Sequence, residues 1–390
     1  MYKVNTHEMK GKMFMKTAAD IIIGLVEKFD VHDAGSRRAH GKGDHYKARV
    51  ELNEAGKDIF GEVENAVVRL SNAATNDKVP DWLVNIKGCS VRFNHPLRPI
   101  DIIGINFPYF PFDSAAETLD VLYRIHFYLE NKSAGRFMDI FRAGGLYRDL
   151  GKILKWMPKR TDMDHLYYTA HSYGNEHYKM KLDYHPGNDR IEIYAEKDEH
   201  LTDYRPGSAI HLGSILINPR STGKEVKYFD VLNAPPGMPP NGNLPLLRHY
   251  VYKRSFLRRM EEKLLDGKDL RMIEEVWAEE KYFVLSKSQR IYDEIRELIK
   301  KGTDMSATRF RELLDEAYAL KYEEKHLRNY LQHVWGHFKD EADEREKEHY
   351  AKLSEHPDPE AVNTFIHDLA LKYEEPYILR TTMVKTRGRS

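Results

Sequence analysis

Arg248 and Tyr252 lie four residues apart, and together they could provide a phenolate ligand for a metal ion. They lie at the start of a segment with helical character, residues 250–257. On a helix, a spacing of four residues places both side chains on one face. A guanidinium beside a phenol lowers the pKa of the phenol and favours the phenolate. A phenolate is a hard anionic oxygen that can bind ferric iron. The pair is equally typical of an ordinary helix start, because the chain contains 24 Tyr.

A histidine, His40, lies in a glycine-rich and basic loop that precedes a predicted strand, Arg37-Arg38-Ala39-His40-Gly41-Lys42-Gly43. Taken alone, such a His is typical of a structural or surface position. Three further segments follow it in the chain, at residues 67–73, 86–93 and 101–110. Their sequences are VVRLSNA, IKGCSVRF and DIIGINFPYF.

In this order, and ending in the Arg248–Tyr252 pair, these segments resemble the catalases, especially the small catalase-like haem proteins. The segment at 167–174, YYTAHSYG, is similar to the central hairpin of that family. The resemblance spans roughly residues 30–256. It implies a catalase-like antiparallel β-barrel with flanking helices and haem b as the iron cofactor.

The resemblance also implies roles for individual residues. His40 corresponds to the distal base above the haem. Tyr252 corresponds to the proximal ligand of the iron, and Arg248 holds it as the phenolate.

Five other positions match supporting residues of the family. Arg69 and Arg37 would pair with the haem propionates, because a guanidinium suits a carboxylate. Ser71 would orient His40 by a hydrogen bond. Asn106 would supply the distal amide, and Phe110 would pack on the haem.

Two departures from the family pattern affect the expected chemistry. The distal amide of typical catalases follows the Asp by four residues, but here that position holds Ile105 and Asn106 comes one residue later. Either the strand carries a shift or the amide does not face the iron. The interval between His40 and Tyr252 is also shorter than in full-length catalases, which implies a more open pocket and favours organic hydroperoxides.

The composition limits the class of protein. The 390 residues suffice for two domains, and equal numbers of acidic and basic residues give a net charge of zero, which argues against a nucleic-acid partner. The single cysteine, Cys89, fits a reducing compartment. The apolar run at residues 21–26 is too short to span a bilayer. We therefore expect a cytoplasmic protein without a membrane partner. The sequence does not decide whether it forms a homo-oligomer.

Alternating apolar residues and turn signals predict the strands of the N-terminal part. Helices are predicted over residues 7–30 and 115–129. The predicted strands are residues 48–52, 67–70, 91–93, 102–105, 178–184, 190–195 and 211–217. Together with the helical C-terminal part, this pattern predicts an α+β chain.

From about residue 255, Gly and Pro become scarce and helical periodicity dominates. We predict a haem domain at residues 1–260 and an all-α domain at residues 275–390. Residues 275–385 resemble a small bacterial helical domain of unknown function, the YbgA-like type. His333 and His337 have the spacing of a metal-binding pair, and with His326 they share one helical face, but structural histidines explain them as well.

The sequence therefore predicts a haem-dependent, catalase-like peroxidase that acts on hydrogen peroxide or organic hydroperoxides. The alternative is a haem-binding, oxidant-sensing protein without turnover, whose helical domain binds a partner or nucleic acid. The Ile105 departure motivates this alternative.

Overall fold

The computed structural model describes residues 43–72, 87–106, 166–169, 171–174, 176–197, 209–223, 226, 229–241, 270–302 and 307–386. The described residues up to 241 belong to one compact unit, and those from 270 onward belong to another. The helices predicted over 7–30 and 115–129 lie outside the described residues. The linker predicted between residues 260 and 275 falls mostly outside them, so this boundary stays a prediction.

The first unit contains a closed barrel of eight antiparallel strands in chain order. The barrel closes because β1 pairs with both β2 and β8. The strands are β1 (Gly43–Leu52), β2 (Asn65–Asn72), β3 (Lys87–Phe93), β4 (Ile100–Ile105), β5 (Leu166–Thr169), β6 (Tyr178–His185), β7 (Arg190–Lys197) and β8 (Ala209–Thr222). All seven predicted strands lie within observed ones, and β5 is an additional strand.

Strict alternation of side chains explains the barrel. Successive residues of a strand point to opposite faces, so every second residue faces the interior. The interior residues are apolar and form one buried core cluster. Members from all eight strands include Val50, Val68, Val91, Ile102, Tyr167, Leu182, Ile193 and Ile215.

One glycine permits the closure between β1 and β8. Gly213 has a φ of 141°, in the region that side chains rarely adopt. A Cβ at this position would lie 2.3 Å from the carbonyl oxygen of Glu51, so any larger residue would clash with β1. The register between β7 and β8 shifts at the neighbouring Ile193 and Tyr194, as expected where a barrel strand bends.

A short helix between β1 and β2, α1 (Glu54–Phe60), was not predicted. Asn53 caps its start, because the side-chain oxygen accepts a hydrogen bond from the Gly56 N–H at 2.9 Å. Gly61 ends it with a φ of 74°. An N-cap Asn followed by a Gly just past the last turn is the sequence signal that could have revealed this helix.

The second unit consists of helices, as predicted. They are α2 (Leu270–Lys287), α3 (Gln289–Lys300), α4 (Ala307–Ala319), α5 (Glu324–Trp335), α6 (Glu344–Glu355), α7 (Pro359–Lys372), α8 (Pro376–Leu379) and α9 (Thr382–Thr386). Apolar residues of α2, α3 and α4, such as Val276, Ile295 and Phe310, form a core cluster. The barrel followed by these helices confirms the predicted fold class. Among the described residues, no helix is both long enough and apolar enough to cross a membrane.

Candidate functional site on the outer face of the barrel

Three of the eight predicted site residues are described. Arg69 and Ser71 lie on β2, and Asn106 directly follows β4. The other five lie outside the described residues: Arg37, His40, Phe110, Arg248 and Tyr252. Their roles stay predictions.

Arg69 and Ser71 share the outer face of the barrel. They alternate along β2 with Val68 and Leu70, which belong to the interior core. An outward-facing residue of a barrel is normally exposed, yet Arg69 and Ser71 are each only 3% exposed. The outer face of β2 is therefore covered at this point, and it carries a guanidinium and a hydroxyl two residues apart.

Strand pairing places glycines on both sides of Ser71. Ser71 pairs with Gly43 at the start of β1 and with Gly88 on β3. A Cβ on Gly43 would lie 2.6 Å from the Cβ of Ser71, so the two strands approach closely here. The Ser71 hydroxyl donates a hydrogen bond to the Gly88 carbonyl oxygen at 3.3 Å. This part of the outer face therefore carries little side-chain bulk.

The register of β3 and β4 decides which residue continues this row. The two strands pair without a shift from Gly88 opposite Ile105 to Phe93 opposite Ile100. Ile105 thus lies on the same outer face as Ser71, next to Gly88. No strand shift brings Asn106 into this position.

Asn106 instead closes the end of the strand pair. Its side-chain oxygen accepts a hydrogen bond from the Lys87 N–H at 2.8 Å. Its own N–H donates to the Lys87 carbonyl oxygen at 3.1 Å. The β3–β4 register therefore shows no strand shift, and the role of Asn106 as the distal amide stays a prediction.

A second polar group on the outer face was not predicted as functional. Asp101 is fully buried, and its carboxylate accepts from Arg92 Nε at 2.7 Å and Nη2 at 2.5 Å. It also accepts from the Asp230 N–H at 2.9 Å and the Asn233 side chain at 2.8 Å. Burial raises the pKa of Asp101, and these donors oppose the rise. This carboxylate fastens the segment at residues 229–241 to the barrel wall.

Three solved catalase structures are similar to this chain at low identity. They are a bacterial catalase (17% identity, TM-score 0.39, 58% of each chain), catalase A from Saccharomyces cerevisiae (13%, TM-score 0.38, 58% of this chain and 61% of that one) and a fungal catalase (14%, TM-score 0.37, 57% and 58%). The chain thus aligns with less than two thirds of each catalase. At these identities the likeness concerns the fold alone. A search of the curated proteins finds no match.

The helical unit matches a family model. The model, described as "Protein of unknown function (DUF1722)", matches residues 281–386. This range lies almost entirely within the region predicted to resemble a small helical domain of unknown function. Within the described residues, no group of three or more His, Cys, Asp or Glu could hold a metal ion. His337 Nε2 lies 3.2 Å from the Tyr282 hydroxyl, at hydrogen-bonding distance.

Proposed function

We propose that this protein is a haem-dependent, catalase-like peroxidase that acts on hydroperoxides, with His40 as the acid–base and Tyr252 as the phenolate ligand. The observation that carries the proposal is the pairing of Gly43 with Ser71. This pairing sets the start of β1, three residues after His40, against a buried hydroxyl. The order of the sequence motifs supports the same assignment.

The described residues fit a haem. A haem carries two carboxylates, and Arg69 offers a buried guanidinium, which suits a carboxylate in geometry and charge. Gly43 and Gly88, which pair with Ser71, add no side chains to this face. Tyr252 would hold the iron, with Arg248 beside it.

When bound, the haem iron supplies the chemistry that cleaves the O–O bond of a hydroperoxide. The chain supplies the proton transfers. His40 takes the proton from the hydroperoxide and returns it to the leaving oxygen, as a general base and then a general acid. The Ser71 hydroxyl donates its proton to the Gly88 carbonyl oxygen, and a hydroxyl oxygen can also accept an imidazole N–H, which would orient His40.

The apolar character of β4 favours organic hydroperoxides as substrates. Ile103 and Ile105 are half-buried on the outer face, in line with Ser90 and Gly88. Burying the hydrocarbon chain of an organic hydroperoxide against such a surface contributes binding free energy, whereas hydrogen peroxide has no apolar surface to bury. Ile105 also favours a second candidate function, a haem-binding oxidant sensor without turnover, because it stands where an amide is expected.

The absorbance spectrum of the full chain, purified from haem-supplemented cells, tests the proposal. We expect a Soret band with high-spin ferric features in the wild type, and an altered or lost band in Tyr252→Phe. Tyr250→Phe is the matched control and should leave the spectrum unchanged. A wild-type protein without a Soret band would contradict haem binding and therefore both candidate functions.

His40→Ala separates the enzyme from the sensor. Both candidates predict that the variant retains haem. An enzyme should lose hydroperoxide consumption by about 10²–10⁴-fold, the usual contribution of a general acid–base. A wild-type protein that binds haem but consumes neither hydrogen peroxide nor an organic hydroperoxide would instead support the sensor.

A further inference from the structure

The helical unit contains a buried amine that plays no part in the proposed haem chemistry. Lys287 is the last residue of α2 and is 3% exposed. It lies where α2 meets α3, since the next residue, Ser288, caps α3. The Lys287 Nζ lies 3.2 Å from the centre of the Tyr322 ring, in the link between α4 and α5. It lies 5.4 Å from the centre of the Phe283 ring.

The Lys287 amine contacts the faces of two aromatic rings, those of Phe283 and Tyr322. Within the described part of the chain, the Lys287 Nζ forms no hydrogen bond and no ion pair. Burial raises the pKa of Tyr322, so its phenol stays neutral and supplies no counter-ion. The phenol hydroxyl donates to the Met383 sulfur at 3.6 Å. The three N–H donors of an ammonium at this place would meet only aromatic faces, which compensate for its lost hydration only in part, so burial disfavours the charged form.

The titratable groups around it do not offset this cost. On the same helix, Glu280 lies roughly 10 Å away along the axis, as seven residues at the helical rise require. Its two oxygens accept hydroxyl hydrogen bonds from Tyr318 on α4 and Thr382 on α9, each at 2.8 Å. The buried Lys385 on α9 adds positive charge to the unit.

Burial consequently lowers the pKa of Lys287 from 10.5 to about 7. About half of the amine is then neutral at pH 7, against roughly one part in a few thousand for an ordinary lysine. The neutral amine is the nucleophilic form.

We propose that Lys287 is a reactive amine that forms a Schiff base with small aldehydes or ketones, which makes this part of the helical unit a carbonyl-binding site. The amine nitrogen attacks the carbonyl carbon, a C=N bond forms, and the carbonyl oxygen leaves as water with the two protons of the amine. The rings of Phe283 and Tyr322 favour a small apolar substituent on the carbonyl compound. The proposal does not depend on the haem.

Competitive labelling of the full chain tests it. Propanal is added at limiting concentration with sodium cyanoborohydride at pH 7, which reduces the imine to a stable propyl-lysine, and labelled peptides are identified by mass. We expect Lys287 to be labelled at least about tenfold faster than Lys281, because more of it is neutral. Lys281 is an internal control on the same helix, since its Nζ also contacts two aromatic rings, those of Tyr282 and Tyr377.

One variant and a pH profile complete the test. Lys287→Arg keeps a cation but cannot form an imine, so its label should disappear while that of Lys281 stays. The labelling rate of Lys287 should rise between pH 6 and 8 and then level off. Equal or faster labelling of Lys281 in the wild type, or labelling of Lys287 only after unfolding in urea, would overturn the proposal without depending on how any variant folds.

Discussion

In the barrel, the buried carboxylate of Asp101 is paired with a guanidinium, whereas in the helical unit the buried carboxyl of Glu280 is held by two hydroxyls. The first arrangement lies on the outer face of a strand and fastens a distant segment to it. The second lies inside a helical bundle, where α2, α4 and α9 meet. A sheet can therefore bury a carboxyl on its outer face under a covering segment, whereas a helical bundle must supply the hydrogen-bond partners of a buried carboxyl from its own interior.

The largest effect is expected from Asp101→Ala. The substitution leaves the Arg92 guanidinium, the Asp230 N–H and the Asn233 amide without this acceptor. Removing one partner of a buried ion pair costs roughly 3–5 kcal/mol. The free energy of unfolding, measured in urea by circular dichroism, should fall by this amount.

Glu51→Ala is the matched control on the same barrel. Glu51 pairs with Arg49 at 3.6 Å, but both side chains are largely exposed. Such pairs contribute about 0–1 kcal/mol. If the two variants lose equal stability, the buried pair on the barrel wall has no special role.

Glu280→Ala should have the next largest effect. It leaves the Tyr318 and Thr382 hydroxyls without their acceptor inside the bundle. At about 1–2 kcal/mol for each buried hydroxyl, the lower part of the usual range, the unfolding free energy should fall by roughly 2–4 kcal/mol. Glu280→Gln keeps one carbonyl oxygen and should lose less.

The exposed Glu275 on the same helix provides the control. Glu275→Ala removes a carboxylate from the surface and should change the unfolding free energy by less than about 0.5 kcal/mol. A loss in Glu280→Ala as small as this would mean that the two hydroxyls find other acceptors.

Local patterns in the sequence predicted seven of the eight strands of the barrel, but not β5. A period of two fixes the side of a sheet to which each residue points, so the spacing of Arg69 and Ser71 places them together. The register between β3 and β4 could not be predicted from the sequence, because it depends on which residue of β4 lies opposite Gly88. This pairing, and no local signal, places Ile105 rather than Asn106 beside Ser71.

Long-range partners explain what the sequence could not predict. Asp101 bonds to a residue 129 positions later, and Glu280 to one 102 positions later. Lys287, at the end of a helix, has the position of an ordinary solvated lysine, because cations are favoured at helix C-termini. Its burial depends on Tyr322, which reaches it from another part of the chain.

Lys287 should make stability depend on pH. Its pKa is about 7 in the folded protein and 10.5 ordinarily, so between these values the unfolded chain binds a proton that the folded protein lacks. The unfolding free energy should therefore rise with pH, by up to about 1.4 kcal/mol per unit. Below pH 7 both states are protonated and this contribution is lost. The Tyr322 face favours the ammonium and opposes this lowering of the Lys287 pKa.

Urea unfolding between pH 6.5 and 9 measures this slope, in a range below the ionisation of ordinary tyrosines. Lys287→Met should flatten it and raise stability near pH 7, because a buried amine is replaced by an apolar chain of similar length. Lys281→Met should leave the slope as in the wild type. An unchanged slope in Lys287→Met would show that other groups titrate in this range.

The smallest effect is expected where polar groups of the helical unit are exposed. Asp343 caps α6, where its side chain accepts from the Glu346 N–H at 3.0 Å, and the Glu346 side chain accepts from the Asp343 N–H at 2.8 Å. Asp343→Ala should cost about 1 kcal/mol, as the loss of a cap usually does. Asp343→Asn keeps the cap and loses only the charge that faces Lys372 at 3.1 Å, so it should be nearly neutral. If Asp343→Asn lost as much as Asp343→Ala, the exposed ion pair rather than the cap would stabilise α6, and burial would not separate strong from weak polar contacts in this unit.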